Sequence, residues 1–266
     1  LEARLLTAAA CHRTKEQLIR DRHQYDADGS YEKTLEEYLA RRLKGEPVAY
    51  ILGEWEFYGV PLEITPQVLI PRVDTEVLVD VALEHFRERE AEAPRVLDLC
   101  AGSGCVGLAV AAHLPEARVV LADNAPGALY VSRRNVLKNN MLRRVSVMEL
   151  DALAGPPLLI GAFDAILCNP PYIPTREIEG LDDSVRLYEP FSALDGGEDG
   201  LDFYRAIIPK WKDALSEGGL MAFECGAGQA PDVAEMLRRN GFEAVRAFKD
   251  TLGIERVAAG IWRPSE

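Results

Sequence analysis

The sequence predicts an α/β protein built on a doubly wound, mostly parallel sheet, with a small helical region in front of it. Two observations carry that expectation. From Arg95 onward, short apolar runs alternate with loops and helical stretches, the rhythm of strand–loop–helix units. Before residue 53, apolar positions recur at helical spacing.

In the N-terminal region, Thr14-Lys-Glu-Gln17 fits a capping box, and Tyr31 to Leu43 places Leu35, Tyr38, Leu39 and Leu43 on one stripe. Gly45 and Pro47 stop that helix. The alternating pattern from Gly53 to Thr65, centred on Gly59, predicts a β-hairpin, and a helix follows from Thr75 to about Glu90. Strands are expected at Val96–Leu99, Val119–Ala122, Val145–Met148, Ala165–Cys168 and Leu220–Glu224, with helices after Gly200 and around Val233–Arg239. Two closing strands, near Ala244–Phe248 and Val257–Ile261, have no helix between them and should pair antiparallel. The expected organisation is a helical domain over 1–52, a hairpin linker over 53–72 and an α/β domain over 73–266.

The 266 residues suffice for one large domain plus a small one, and 48% hydrophobic content supports a sizeable core. No apolar run reaches the roughly 18–20 residues of a membrane span. The opening LEARLLTAAACHR mixes charges with apolar positions, so no signal peptide is expected, and without an initiator Met the natural start is expected to be missing or processed. Five cysteines without CxxC spacing point to a reducing, cytoplasmic setting. Cys100, Cys105, Cys168 and Cys225 read as small buried thiols rather than nucleophiles. His12, His23, His85 and His113 lack ligand spacing, and no metal is expected. A net charge of −13 argues against holding nucleic acid by its phosphates, so no stable nucleic-acid binding and no membrane binding are expected.

The first strand runs into Asp98-Leu-Cys-Ala-Gly-Ser-Gly104, ahead of a helix beginning near Val106. Small residues there let a ligand approach the backbone, and the helix start offers free N–H groups. A dinucleotide site or a plain tight turn is the alternative, but Asp98 at the front of the loop suits a cationic or amine-bearing ligand better than a phosphate. S-adenosylmethionine, with its sulfonium and amino group, matches that sign. Asp123, at the end of the second strand, can hold both ribose hydroxyls, with Asn124 beside it. Asp151 and Ala152 follow the third strand, where they can line an adenine pocket. All three acids fall at carboxyl ends of strands, where open α/β sheets bind ligands.

The fourth strand ends in Asn169-Pro-Pro-Tyr172. Pro170 and Pro171 have no N–H and hold a stiff corner. A planar –NH2 group has two hydrogens to donate: the Asn169 side-chain oxygen can accept one and the Pro170 carbonyl the other. Tyr172 can pack flat against an amide or a base. Two acceptors on those N–H bonds favour the positive charge that builds on nitrogen during methyl transfer. No general base is needed first, because the nitrogen becomes acidic only afterwards.

With these motifs in place, the chain resembles the protein-(glutamine-N5) methyltransferases of class I peptide-chain release factors (the HemK/PrmC family). The likeness runs through Gly45-Glu-Pro-Val-Ala-Tyr-Ile-Leu-Gly53, Glu56-Phe-Tyr58, Leu69-Ile-Pro-Arg-Val-Asp-Thr-Glu76, the Asp98–Gly104 loop and Asn169–Tyr172. It continues through Tyr188-Glu-Pro190, Leu194-Asp-Gly-Gly-Glu-Asp-Gly-Leu201 and Glu224-Cys-Gly-Ala-Gly-Gln229. The resemblance implies a Rossmann-like class I methyltransferase sheet of seven strands and a helical N-terminal domain that grips the release factor. It implies S-adenosylmethionine as cofactor and S-adenosylhomocysteine as product. The implied acceptor is the glutamine of a Gly-Gly-Gln loop, held by Asn169 to Tyr172 in the service of translation termination. Cys100, Ala101, Gly102, Ser103, Gly104, Asp123, Ala152 and Asn169 would contact the cofactor. Three stretches depart from the family's usual pattern: Leu-Cys-Ala-Gly for Leu-Gly-Thr-Gly, Arg-Val-Asp-Thr-Glu for Arg-Pro-Glu-Thr-Glu, and Asp123-Asn-Ala. An adenine-N6 methyltransferase acting on DNA or RNA would need the same Asn-Pro-Pro-Tyr grip, and a ribosomal-protein glutamine methyltransferase is a further alternative. Arg72 and Glu76 could border the cleft or form an interdomain salt bridge; Glu189 could shape an acceptor channel or be an ordinary loop carboxylate.

Overall fold

The computed structural model describes residues 2–21 and 29–264. Expectations that touch residues 1, 22–28 and 265–266, His23 among them, lie outside the described residues. The N-terminal region is helical: α1 (Glu2–Ala10), α2 (Lys15–Arg20), α3 (Ser30–Leu43) and α4 (Val48–Leu52). The Thr14 capping box closes fully. The Gln17 N–H donates to Thr14 Oγ1 at 3.2 Å, and the Thr14 N–H donates to Gln17 Oε1 at 2.8 Å, satisfying donors that a helix start leaves open. Leu35 and Tyr38 of α3 pack on Leu6, Val48 and Ile51. Leu39 and Leu43 of the expected stripe instead face outward, 40% and 87% exposed. Among the described residues, helix α3 packs chiefly against α1 and α4, so a narrower stripe covers its contact face.

Strands β1 (Glu54–Phe57) and β2 (Val60–Glu63) form the expected hairpin, paired Phe57↔Val60 across Tyr58 and Gly59. Both turn residues have positive φ, 50° and 76°, as a two-residue turn that follows the strand twist requires. The hairpin is bound into the larger unit by Asn135. Its Nδ2 donates to the Glu63 carbonyl at 3.0 Å and the Ser103 carbonyl at 2.9 Å, while its Oδ1 accepts the Glu63 N–H.

Beyond a 3-10 turn at Val73–Thr75, the chain forms α5 (Glu76–Glu88), β3 (Arg95–Leu99), α6 (Cys105–His113), β4 (Arg118–Asp123), α7 (Pro126–Lys138), β5 (Val145–Glu149) and β6 (Phe163–Cys168). It continues with α8 (Asp183–Arg186), α9 (Asp202–Trp211), β7 (Leu215–Glu224), α10 (Ala230–Arg239), β8 (Phe242–Lys249) and β9 (Glu255–Trp262). The seven-stranded sheet runs β5-β4-β3-β6-β7-β9-β8, parallel except where β9 pairs with β7 and β8. The closing strands do pair antiparallel. That β9 inserts between β7 and β8 is a long-range choice that local pattern does not encode.

Strand alternation sorts the core into two faces. Val119 and Leu121 of β4 pack with Leu78, Leu108 and Val131 from α5, α6 and α7. Val120 and Ala122, one residue out of phase, join Tyr204, Ile207, Trp211 and Leu237 from α9 and α10. Each fully buried Leu, Ile or Phe contributes about 1.5–3 kcal/mol against exposure, so the three-layer sandwich fixes the strand ends firmly. No helix among the described residues is long and apolar enough to cross a membrane.

Gly107 lets α6 approach the sheet. A methyl there would collide with a Leu121 methyl and come within 2.9 Å of Val119 Cγ1 and 3.1 Å of Asp98 Oδ2. Gly107→Ala is expected to cost about 1–3 kcal/mol through overpacking, more than the roughly 1 kcal/mol gained in helix propensity. The midpoint of urea unfolding should therefore fall; a raised midpoint would mean that α6 has room to slide.

Candidate active site

Strand order reverses at β3, with β4 on one side and β6 on the other. The parallel register pairs Leu99 with Cys168, so the segments leaving β3 and β6 emerge side by side. Between them, at the carboxyl ends of the strands, lies a cavity of about 200 Å³, the place where doubly wound sheets bind ligands. Asp98, Cys100, Ala101, Gly102, Ser103, Asp123, Asn124, Asp151, Ala152, Asn169 and Pro171 all line it. Gly104, Pro170 and Tyr172 are not part of that lining.

The loop after β3 turns through three left-handed residues: Cys100 (φ 57°), Gly102 (φ 54°) and Gly104 (φ 81°). At Cys100 the Cβ makes this conformation costly, by roughly 1–2 kcal/mol. Gly104 has a second reason to lack a side chain, since a Cβ would sit 2.7 Å from Leu121 Cδ1. Asp123 braces the loop: its Oδ2 accepts the Gly102 N–H and its Oδ1 the Ala125 N–H, each at 2.9 Å. Asp98 Oδ2 accepts the Gly107 N–H at 2.8 Å. Burial pushes the Asp98 carboxyl up to about 7; the Gly107 bond opposes that rise and the charge of Asp123 adds to it. The Ser103 hydroxyl is buried with no hydrogen-bond partner. Elsewhere in the lining, Asp151 Oδ1 accepts the Leu153 N–H at 2.8 Å, and the Ala152 carbonyl accepts the buried Trp211 indole N–H at 2.8 Å.

Asn169 Nδ2 donates to Thr75 Oγ1 at 3.3 Å. The Tyr172 hydroxyl points inward and donates to Glu224 Oε1 at 3.2 Å. The Gln229 amide donates to the Tyr172 carbonyl at 2.9 Å, and its Oε1 accepts the Gly226 N–H at 2.9 Å. Gly196 lies so close that a Cβ would sit 2.7 Å from Tyr172 Cα, which accounts for the lack of a side chain at that position. Glu224 is 1% exposed. Burial pushes it up to about 7, against the opposing effects of Thr75, Tyr172 and Arg256.

Arg72 and Glu189 form an ion pair, and Glu189 also accepts the Ile70 N–H at 3.3 Å. Their neighbours Pro71 and Pro190 both line the cavity. Glu76 instead accepts the Tyr58 N–H at 3.3 Å. Cys168 and Cys225 are buried, and Cys100 and Cys105 are half-buried. Burial raises the thiols of Cys105 and Cys225 to about 12 and that of Cys168 well above its ordinary value. Leu150 and Phe203 of the lining, and the supporting roles of Thr75, Glu224 and Gln229, escaped the sequence analysis. Their partners lie 52 to 94 residues away for the three support bonds, so no local pattern could announce them.

The family model for the Methyltransferase small domain matches residues 74–181, and that for the PrmC N-terminal domain matches residues 1–53. Fold, site and these matches together define a Rossmann-like class I methyltransferase. A release factor glutamine methyltransferase from Geobacter sulfurreducens is 46% identical over 84% of this chain and 75% of its own length; the Caulobacter vibrioides protein of the same name is 38% identical over 100% and 90%. The chain belongs to the release factor glutamine methyltransferase family. The hMettl16 catalytic domain, solved in complex with MAT2A 3'UTR hairpin 6, superposes with a TM-score of 0.61 at 18% identity, covering 89% of this chain and 83% of its own, and shares the fold alone.

Asp98 carries a testable pH signature. Its folded pKa lies above the usual carboxylate value, so between about pH 4 and 7 the folded state binds the extra proton and stability falls as pH rises. The contribution is on the order of a few kcal/mol. Urea unfolding of wild type and Asp98→Asn at pH 5 and pH 8 should show wild type losing ground to the variant at the higher pH. A difference independent of pH would contradict the burial argument.

Proposed function

We propose that the protein transfers a methyl group from S-adenosylmethionine to the side-chain amide nitrogen, N5, of the glutamine in the Gly-Gly-Gln loop of a class I peptide-chain release factor. The observation that carries this reading is the meeting of two motifs at the β3/β6 switch: an acid-lined cavity and, on its wall, Asn169 followed by two prolines. The relatives named release factor glutamine methyltransferase point the same way.

The residues present fit the cofactor. Asp98 is buried with a single N–H partner, so a positive group beside it would recover the free energy its desolvation costs. Asp123 keeps lone pairs free after bracing the loop and can accept from ribose hydroxyls. Asp151 and Ala152 are placed to border the adenine, and the unpartnered Ser103 hydroxyl can satisfy a polar group of the ligand. When bound, the cofactor supplies a methyl group on a sulfonium, a good leaving group.

The chain supplies position and charge. Asn169 Oδ1 and the Pro170 carbonyl accept the two N–H bonds of the amide, aim its nitrogen and favour the positive charge that develops there. Holding both reactants in near-attack geometry provides much of the rest. We assign residues 1–52 to gripping the release factor, 53–72 to the hairpin joining it to the catalytic unit, and 73–266 to catalysis. The setting is cytoplasmic and the enzyme needs neither metal nor nucleic acid.

Mass spectrometry after incubation with S-adenosylmethionine should place one methyl on one glutamine of the release factor. Asn169→Ala should lower kcat by about 10²–10³-fold while cofactor affinity changes far less. Label appearing only in nucleic acid, or only in a ribosomal protein, would overturn the assignment.

A further inference from the structure

The Asn169 amide can serve an incoming –NH2 group only if its oxygen, and not its own NH2, faces that group. Something in the protein must decide which end points into the cavity. Asn169 Nδ2 lies 3.3 Å from Thr75 Oγ1, and Thr75 is 1% exposed. Behind it, at the end of β7, the Glu224 carboxylate holds the Tyr172 hydroxyl on Oε1 at 3.2 Å. Glu224 Oε2 is buried without a hydrogen-bond partner, an acceptor left open beside the Thr75 hydroxyl, which favours the charged form of this carboxylate.

We propose that Thr75 and Glu224 are positioning residues that set the orientation of the Asn169 amide, turning its oxygen toward the acceptor nitrogen. A threonine hydroxyl has one proton to give. The buried carboxylate is the strongest acceptor beside it, so the proton goes there. Thr75 Oγ1 is left with lone pairs only, which attract the Asn169 NH2 and repel its oxygen. The amide is thereby turned with Oδ1 away from Thr75. Reversed, its NH2 would meet the substrate's NH2, donor against donor.

This inference rests on the proposed amide-nitrogen acceptor, and its test is built to separate the two. Steady-state kinetics with release factor and S-adenosylmethionine would compare wild type, Thr75→Val, Thr75→Ser and Glu224→Gln. Thr75→Val keeps the shape and removes the hydroxyl; kcat should fall at least about tenfold, and Thr75→Ser should recover to within about threefold. Glu224→Gln keeps the volume but can donate to Thr75, reversing the relay, so its kcat should also fall. The double variant should be no worse than Thr75→Val alone, because both act on one chain of hydrogen bonds. Calorimetric affinity for S-adenosylmethionine should stay within about threefold throughout.

A second readout needs no turnover. The Asn169 side-chain NH2 signal, assigned by its loss in Asn169→Asp, should exchange slowly with solvent in wild type and Thr75→Ser and quickly in Thr75→Val. Wild-type kcat in Thr75→Val overturns the proposal, as does unchanged exchange. A wild type that methylates no release factor defeats the functional assignment instead, and the exchange measurement then still decides this one.

Discussion

The parallel pairing of β3 with β6 is the constraint on which the site depends. In this register Leu99 meets Cys168, and the next residue on each strand enters a different motif, Cys100 in the cofactor-type loop and Asn169 in the acceptor-type corner. Had the pairing slipped by one residue, the side chains of β6 would have exchanged faces, and Ile166 and Cys168 would have left the core they share with Trp211 and Phe223. The core thus enforces the register, and the register enforces the distance between the motifs. Neither loop could set that distance alone.

The same burial that fixes the strands raises the two acids nearest the chemistry. Asp98 and Glu224 each lie at or near a strand end, each 1% exposed and each pushed up to about 7. Their surroundings differ in kind. Asp98 lines the cavity and has one N–H partner, so it remains available to a cationic ligand. Glu224 stands behind the lining, with Tyr172 on one oxygen and Arg256 nearby; Arg256 is itself held by Asp74 at 3.0 Å and Asp250 at 3.1 Å. One acid faces the cavity and the other supports its neighbours.

Much of this was legible in the sequence because it is local. Strand alternation, the Thr14 capping box, the hairpin about Tyr58 and Gly59, and the small-residue loop each depend on residues a few positions apart. The lining contains every cofactor-side residue singled out from the sequence except Gly104, whose lack of a side chain serves packing against Leu121. What could not be read is what distant segments bring to one another. Thr75 comes to Asn169 from 94 residues away, and Gln229 to Tyr172 from 57. The insertion of β9 between β7 and β8 is of the same kind. Tyr172 illustrates the limit well: its place beside the corner was evident, but the inward turn of its hydroxyl depends on Glu224.

Long-range ties also join the N-terminal helices to the cavity wall. The Tyr50 hydroxyl donates to the Val68 carbonyl at 2.7 Å, and the Tyr188 hydroxyl donates to the Lys44 carbonyl at 2.8 Å. Val68 and Pro190 both line the cavity, and the Arg72–Glu189 pair links the segments that carry them. Glu189 has its side chain 1% exposed, so loss of its guanidinium partner would leave a desolvated carboxylate in the wall, a state that proteins tolerate poorly. The helical region is therefore tied to segments that line the cavity by hydrogen bonds through its own backbone at Lys44 and its own side chain at Tyr50. Any movement of those helices would act on segments bonded to residues that line the cavity with Asn169.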